Sequence, residues 1–108
     1  MNTGDIILIP FPFSDTDDIK VRPSVLISIT NDKYKDLVVS AITSVVPSEL
    51  NKTQILVQPD SHNNLRADSI IRVDRIVTLK AENKIANIGR LSKKDLEKFK
   101  EVFKGLVD

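Results

Sequence analysis

A small, strongly curved antiparallel β-barrel with one C-terminal helix packed on it is the fold that the sequence predicts. Two observations carry that expectation. Five short runs rich in Val, Ile, Leu and Thr are separated by polar or proline-bearing breaks, the pattern of an all-β domain. The C-terminal segment instead repeats apolar side chains at helical spacing. At 108 residues the chain is long enough for one core, so 1–108 is read as a single domain.

The first run, "GDIILIPFPF", opens with Gly4 and Asp5 and is expected to be ended by Pro10 and Pro12. "SDTDDIK" follows as an acidic loop. "VRPSVLISIT" is the second strand; Pro23 near its start suits an edge or a bulge, where a missing N–H does no harm. "NDKYK" turns the chain into a third strand, "DLVVSAITSVV", and "PSELNK" leads to a fourth, "TQILVQ". "PDSHNN" is a turn cluster, and "SIIRVDRIVTL" is the fifth and longest strand. "KAENKIANIGRLS" reads as a short helical turn or loop. In the closing helix Ser92 is the N-cap, with Asp95 three residues on. Leu96, Phe99, Phe103 and Leu106 form its apolar stripe; Lys93, Lys94, Lys98, Lys100 and Lys104 form its wet face. Phe11 and Phe13 are read as core or dimer-interface residues.

The balance of 16 basic and 15 acidic residues leaves a net charge of +1. No global cationic field attracts nucleic acid, so any polyanion must be held by a local patch. The absence of Cys excludes a disulfide framework, a thiolate metal site and a cysteine nucleophile. No apolar stretch reaches the length of a membrane span, and the N-terminus lacks a basic region before its apolar segment. A cytoplasmic protein without a membrane partner is expected. Asp15, Asp17 and Asp18 lack the Gly and distal Glu of a calcium loop and read as a solvated loop. His62, the one histidine, sits in a turn cluster and cannot make a two-histidine ribonuclease. Neither a metal nor a cofactor is expected.

The charged positions in the fifth strand need an explanation. Strict alternation places Ser69, Ile71, Val73, Arg75, Val77 and Leu79 on one face, and Ile70, Arg72, Asp74, Ile76 and Thr78 on the other. Arg72 and Asp74 then lie side by side, about 6.6 Å apart along the strand. They are either a surface ion pair worth about 0–1 kcal/mol or part of a site. Arg22 begins the second strand, and Thr43 and Ser44 lie near the end of the third. If these strands are neighbours, two guanidiniums, a hydroxyl and a carboxylate converge. Two guanidiniums suit a phosphate, since each donates two parallel hydrogen bonds. A carboxylate beside them can take a proton from a hydroxyl. RNA supplies that hydroxyl itself, next to its phosphodiester.

The blocks "GDIILIPFPFSD", "KVRPSVLIS", "SAITS" and "IIRVDRIVTL" resemble, in order and spacing, those of the MazF/PemK toxin endoribonucleases. The resemblance runs from Gly4 to about Leu91. It implies a small SH3-like barrel of the CcdB/MazF/PemK type. It further implies a homodimer that cuts single-stranded RNA without metal, leaves a cyclic phosphate and a 5′-hydroxyl, and is inhibited by a cognate antitoxin. By position, it implies catalytic roles for Arg22 in V-R-P, Thr43 in I-T-S, and Arg72 and Asp74 in R-x-D. Ser14, Lys20 and Ser44, within these blocks, are expected to contact RNA. Two features depart from the family pattern: the loop before V-R-P is short, acidic and free of histidine, and Val77 stands where many relatives carry arginine. The alternative is a non-catalytic member of the same fold, either a CcdB-like gyrase binder or a degenerate toxin that dimerises but cleaves poorly.

Overall fold

The strands β1 (Asp5–Pro12) and β3 (Leu37–Thr43) are apolar along nearly their whole length, so both faces of the sheet need cover, and the architecture follows from that. The computed structural model describes residues 1–12 and 19–107. Its strands are β1 (Asp5–Pro12), β2 (Ile19–Ile29), β3 (Leu37–Thr43), β4 (Gln54–Val57), β5 (Ser69–Leu79) and β6 (Ala86–Arg90). The helix α1 spans Lys93–Gly105. The strands form one antiparallel sheet in the order β4-β5-β3-β2-β1-β6, curled into a half-barrel. No helix among the described residues is long and apolar enough to cross a membrane.

Neighbouring residues on one strand go to different cores. Ile6, Val25, Ile42, Ile71 and Val73 join Phe99 of α1 in one cluster. Ile7, Leu26, Val39 and Ala41 join Ile9, Phe11 and Leu37 in the other. This is the two-residue period of a strand with both faces buried. The expected helical stripe holds: Leu96, Phe99, Phe103 and Leu106 all pack on the first cluster. The Ser92 hydroxyl accepts from Asp95 N at 3.2 Å, as an N-cap does. Gly4 adopts φ +95°, and an added Cβ there would meet Leu96 Cδ1 at 2.7 Å, so glycine lets the helix seat against β1.

Three expectations are corrected. β1 continues through Pro10, which pairs with Val21. The Leu8 carbonyl accepts from Ile85 N, so Leu8, Pro10 and Pro12 turn their backbone nitrogens to one side of β1. Pairing with β6 ends on that side at Leu8–Ala86, so neither proline lacks a bond it would have made. Second, the segment read as a turn or loop contains an edge strand, β6, behind a single 3-10 turn at Ala81–Asn83. Asn87 and Gly89 are poor strand formers, and the pairing with β1 supplies what propensity does not.

Third, β5 does not alternate uniformly. Ala41 faces Arg72, but its neighbour Ser40 faces Ile76, leaving Val73, Asp74 and Arg75 as a bulge. The bulge is stabilised internally. The buried Ser40 hydroxyl donates to Val73 O at 3.0 Å, and Val73 N donates to Thr53 O at 3.0 Å. The odd number of extra residues reverses the phase. Val77 and Leu79 pack on the cluster that contains Ala41, the face of Arg72, while Ile71 and Val73 belong to the other. The expected face assignment holds through Val73 and is reversed after the bulge, at Val77 and Leu79, and alternation gives Arg75 no face.

Candidate active site

The cleft containing three expected site residues opens because of a proline. Leu8 turns its backbone groups to β6, so its partner Pro23 turns its own toward β3. Pro23 has no N–H to offer there. The β2–β3 ladder stops one residue later, at Ser24–Ala41, and the start of β2 parts from the end of β3. A cavity of about 720 Å³ lies at this parting. Leu8, Pro23, Ile42, Leu65 and Ile88 give it apolar lining; Arg22, Thr43 and Ser44 line it from the sheet, Asn64 and Arg66 from the loop before β5.

That loop is tightly organised. Asp60 Oδ1 accepts from His62 N at 2.8 Å and Asn63 N at 2.7 Å. Asn63, fully buried, accepts from Asp60 N and Leu65 N through Oδ1 and donates through Nδ2 to Gln58 O. The loop is then fastened to β6: Arg90 N donates to His62 O at 2.9 Å, and Asn64 Nδ2 donates to Ile88 O at 2.6 Å. Gly89 permits this approach, since an added Cβ would lie 2.4 Å from His62 O. His62 therefore contributes its backbone to a brace.

The expected site residues fall into two groups. Arg22 is half-buried on β2; Thr43 is half-buried at the end of β3, its hydroxyl accepting from Val45 N at 3.2 Å. Ser44 is exposed beside it. These three share the cavity. Arg72 and Asp74 do not line it. Ser24, Ala41 and Arg72 form one row across β2, β3 and β5. Arg22 lies two residues to one side of that row, and Asp74 lies on the other side, within the bulge. The register thus sets them two strands apart, roughly 10 Å across the sheet. Thr43, facing Ile70, is the diagonal neighbour of Arg72. Among the described residues no ion pair joins Arg72 to Asp74; the Asp74 carboxylate accepts instead from Thr53 Oγ1 at 3.2 Å. Lys20 is exposed on β2 opposite Phe11, away from the cavity lining. Ser14, like Phe13 and the acids Asp15, Asp17 and Asp18, lies outside the described residues. Sequence reasoning missed Arg66 and Asn64, isolated polar residues in a turn segment with no periodicity to mark them.

A family model described as "PemK-like, MazF-like toxin of type II toxin-antitoxin system" matches residues 2–107. The chain belongs to this family. Among solved structures it is similar to Mycobacterium tuberculosis toxin MazF-mt6, with TM-score 0.69, 21% identity and 96% of each chain covered. It is also similar to an endoribonuclease in complex with its cognate antitoxin from a mycobacterial species. That match has TM-score 0.73 and 15% identity, and covers 97% of this chain and 92% of the other. At these identities the two structures establish the fold, a curled antiparallel sheet with one C-terminal helix, as the sequence led one to expect. Comparison with curated protein sequences gives no match.

Proposed function

We propose that this MazF/PemK-family protein is an endoribonuclease toxin that cuts single-stranded RNA in the cytoplasm, restrained by a cognate antitoxin. The observation that carries the reading is the meeting of Arg22, Thr43 and Ser44 at one cavity, in a chain matched by the toxin family along nearly its whole length. The attacking group is the RNA 2′-hydroxyl, so the protein supplies charge stabilisation and proton transfer and no metal. The Arg22 guanidinium binds the scissile phosphate, where negative charge grows in the transition state. The Thr43 hydroxyl donates to a phosphate oxygen or positions the ribose. Arg72 adds a second cation, and Asp74 takes the 2′-proton. Ser44, with Lys20 and Ser14, contacts the strand nearby. The 2′-oxygen bonds to phosphorus as the bond to the 5′-oxygen breaks, the leaving oxygen takes a proton from water, and the products are a 2′,3′-cyclic phosphate and a 5′-hydroxyl.

The separation of Arg22 from Asp74 constrains this scheme. Arg22 lines the cavity and Asp74 does not. In the proposed homodimer one copy supplies Arg22 and the other Asp74 to the same phosphate. Incubation of the purified protein with a long single-stranded RNA in EDTA, followed by chemical mapping of both new ends, tests the reading. Cyclic phosphate and 5′-hydroxyl ends are expected. Activity abolished by EDTA and restored by magnesium refutes the metal-free scheme, and intact RNA at stoichiometric protein favours the non-catalytic alternative.

A further inference from the structure

Arg66 lines the cavity from the loop before β5, and the ribonuclease reading gives it no task. We infer that Arg66 binds a second phosphate of the RNA strand, next to the one held at Arg22, with one nucleotide seated between them. The inference rests on the proposed function of the same site. Both arginines line the one cavity, Arg22 from β2 and Arg66 from the loop. Its volume of about 720 Å³ is of the size that encloses small organic ligands. The same lining includes the apolar Leu8, Ile42 and Ile88, which suit the face of a base.

Arg66 is also prepared for such a contact. Among the described residues no carboxylate lies within ion-pair distance of its guanidinium, its near neighbour Asp68 included. The loop that carries it is braced on β6 up to Asn64 and Leu65, so its backbone loses little freedom on binding.

The test compares Arg66→Ala and Arg66→Lys with Arg22→Ala in two assays. One is steady-state cleavage of a single-stranded RNA; the other is binding of its uncleavable 2′-deoxy counterpart across a salt series. Arg66→Ala is expected to lower kcat/KM about 10- to 100-fold, chiefly through KM, the loss of one charge-assisted contact. The slope of log affinity against log salt should fall by about 0.7, one phosphate contact on a single strand. Arg66→Lys should keep the slope and recover part of kcat/KM. An Arg66→Ala variant with unchanged slope and kcat/KM within about twofold overturns the inference, and if Arg22→Ala is inactive in the same experiment the ribonuclease reading survives it. Should wild-type protein leave RNA intact, that reading fails, and the salt slope still decides Arg66: unchanged in Arg66→Ala, or no binding at all, overturns it.

Discussion

Gly89 offers a quantitative test of the brace between β6 and the 60–67 loop. An alanine Cβ at this position would lie 2.4 Å from His62 O, 2.8 Å from Asn63 O and 2.9 Å from the Asn63 carbonyl carbon. All three are backbone atoms of a turn locked by its own hydrogen bonds, so no rotamer change relieves the contact. Carbon–oxygen contacts settle near 3.3 Å, so the turn must retreat by roughly 0.9 Å. That retreat takes the Arg90 N–His62 O bond, now 2.9 Å, beyond hydrogen-bonding range, and strains Asn64 Nδ2–Ile88 O in the same way. Two lost bonds cost about 1–3 kcal/mol, and residual overpacking adds about 1–2 kcal/mol. For a chain of this size about 4 °C accompanies each kcal/mol, so Gly89→Ala should melt about 8–20 °C below wild type. Calorimetry at one fixed protein concentration measures this, since melting of a dimer depends on concentration. A drop of less than about 3 °C would refute the claim that the turn is held rigidly against β6.

Other variants probe the bulge and the site. Ser40→Ala leaves the buried Val73 carbonyl without its 3.0 Å donor and should cost about 1–3 kcal/mol in denaturant unfolding. Arg22→Ala and Asp74→Ala should each slow RNA cleavage by about two orders of magnitude or more, with far-UV circular dichroism unchanged. Thr43→Ala should be milder than either. Mixing inactive Arg22→Ala and Asp74→Ala proteins, with subunit exchange, should restore part of the activity, because a mixed dimer rebuilds one complete site if the two residues come from different copies. No rescue despite demonstrated exchange would place both residues in one chain and contradict the shared site.

The periodic parts of the sequence foretold the fold well. β-branched apolar runs between polar breaks located five strands, and Ser92 with the Leu96–Phe99–Phe103–Leu106 stripe located the helix, because burial and capping act within a few residues. β6 was illegible for the opposite reason. Its five residues include Asn87 and Gly89, and they become a strand only through β1 and a turn far away in sequence. The β5 bulge was hidden too: "RVDR" continues an alternating pattern, and the phase change depends on Ser40, a residue of another strand. The placement of Arg22 and Thr43 at one opening was foreseen as strand neighbours, whereas the proline that makes the opening was read only as a tolerated edge residue. Arg66 had no local signal, since its place at the cavity is set by the fastening of the loop to β6.

The claim most exposed to refutation is that the RNA's own 2′-hydroxyl is the nucleophile. A single-stranded RNA whose cleavage position has been mapped is resynthesised with hydrogen in place of that one 2′-hydroxyl, and both are incubated with the protein in EDTA. The unmodified strand should be cut to a cyclic phosphate and a 5′-hydroxyl, and the substituted strand should remain whole at that position. Cutting of the substituted strand there at a comparable rate would contradict the account.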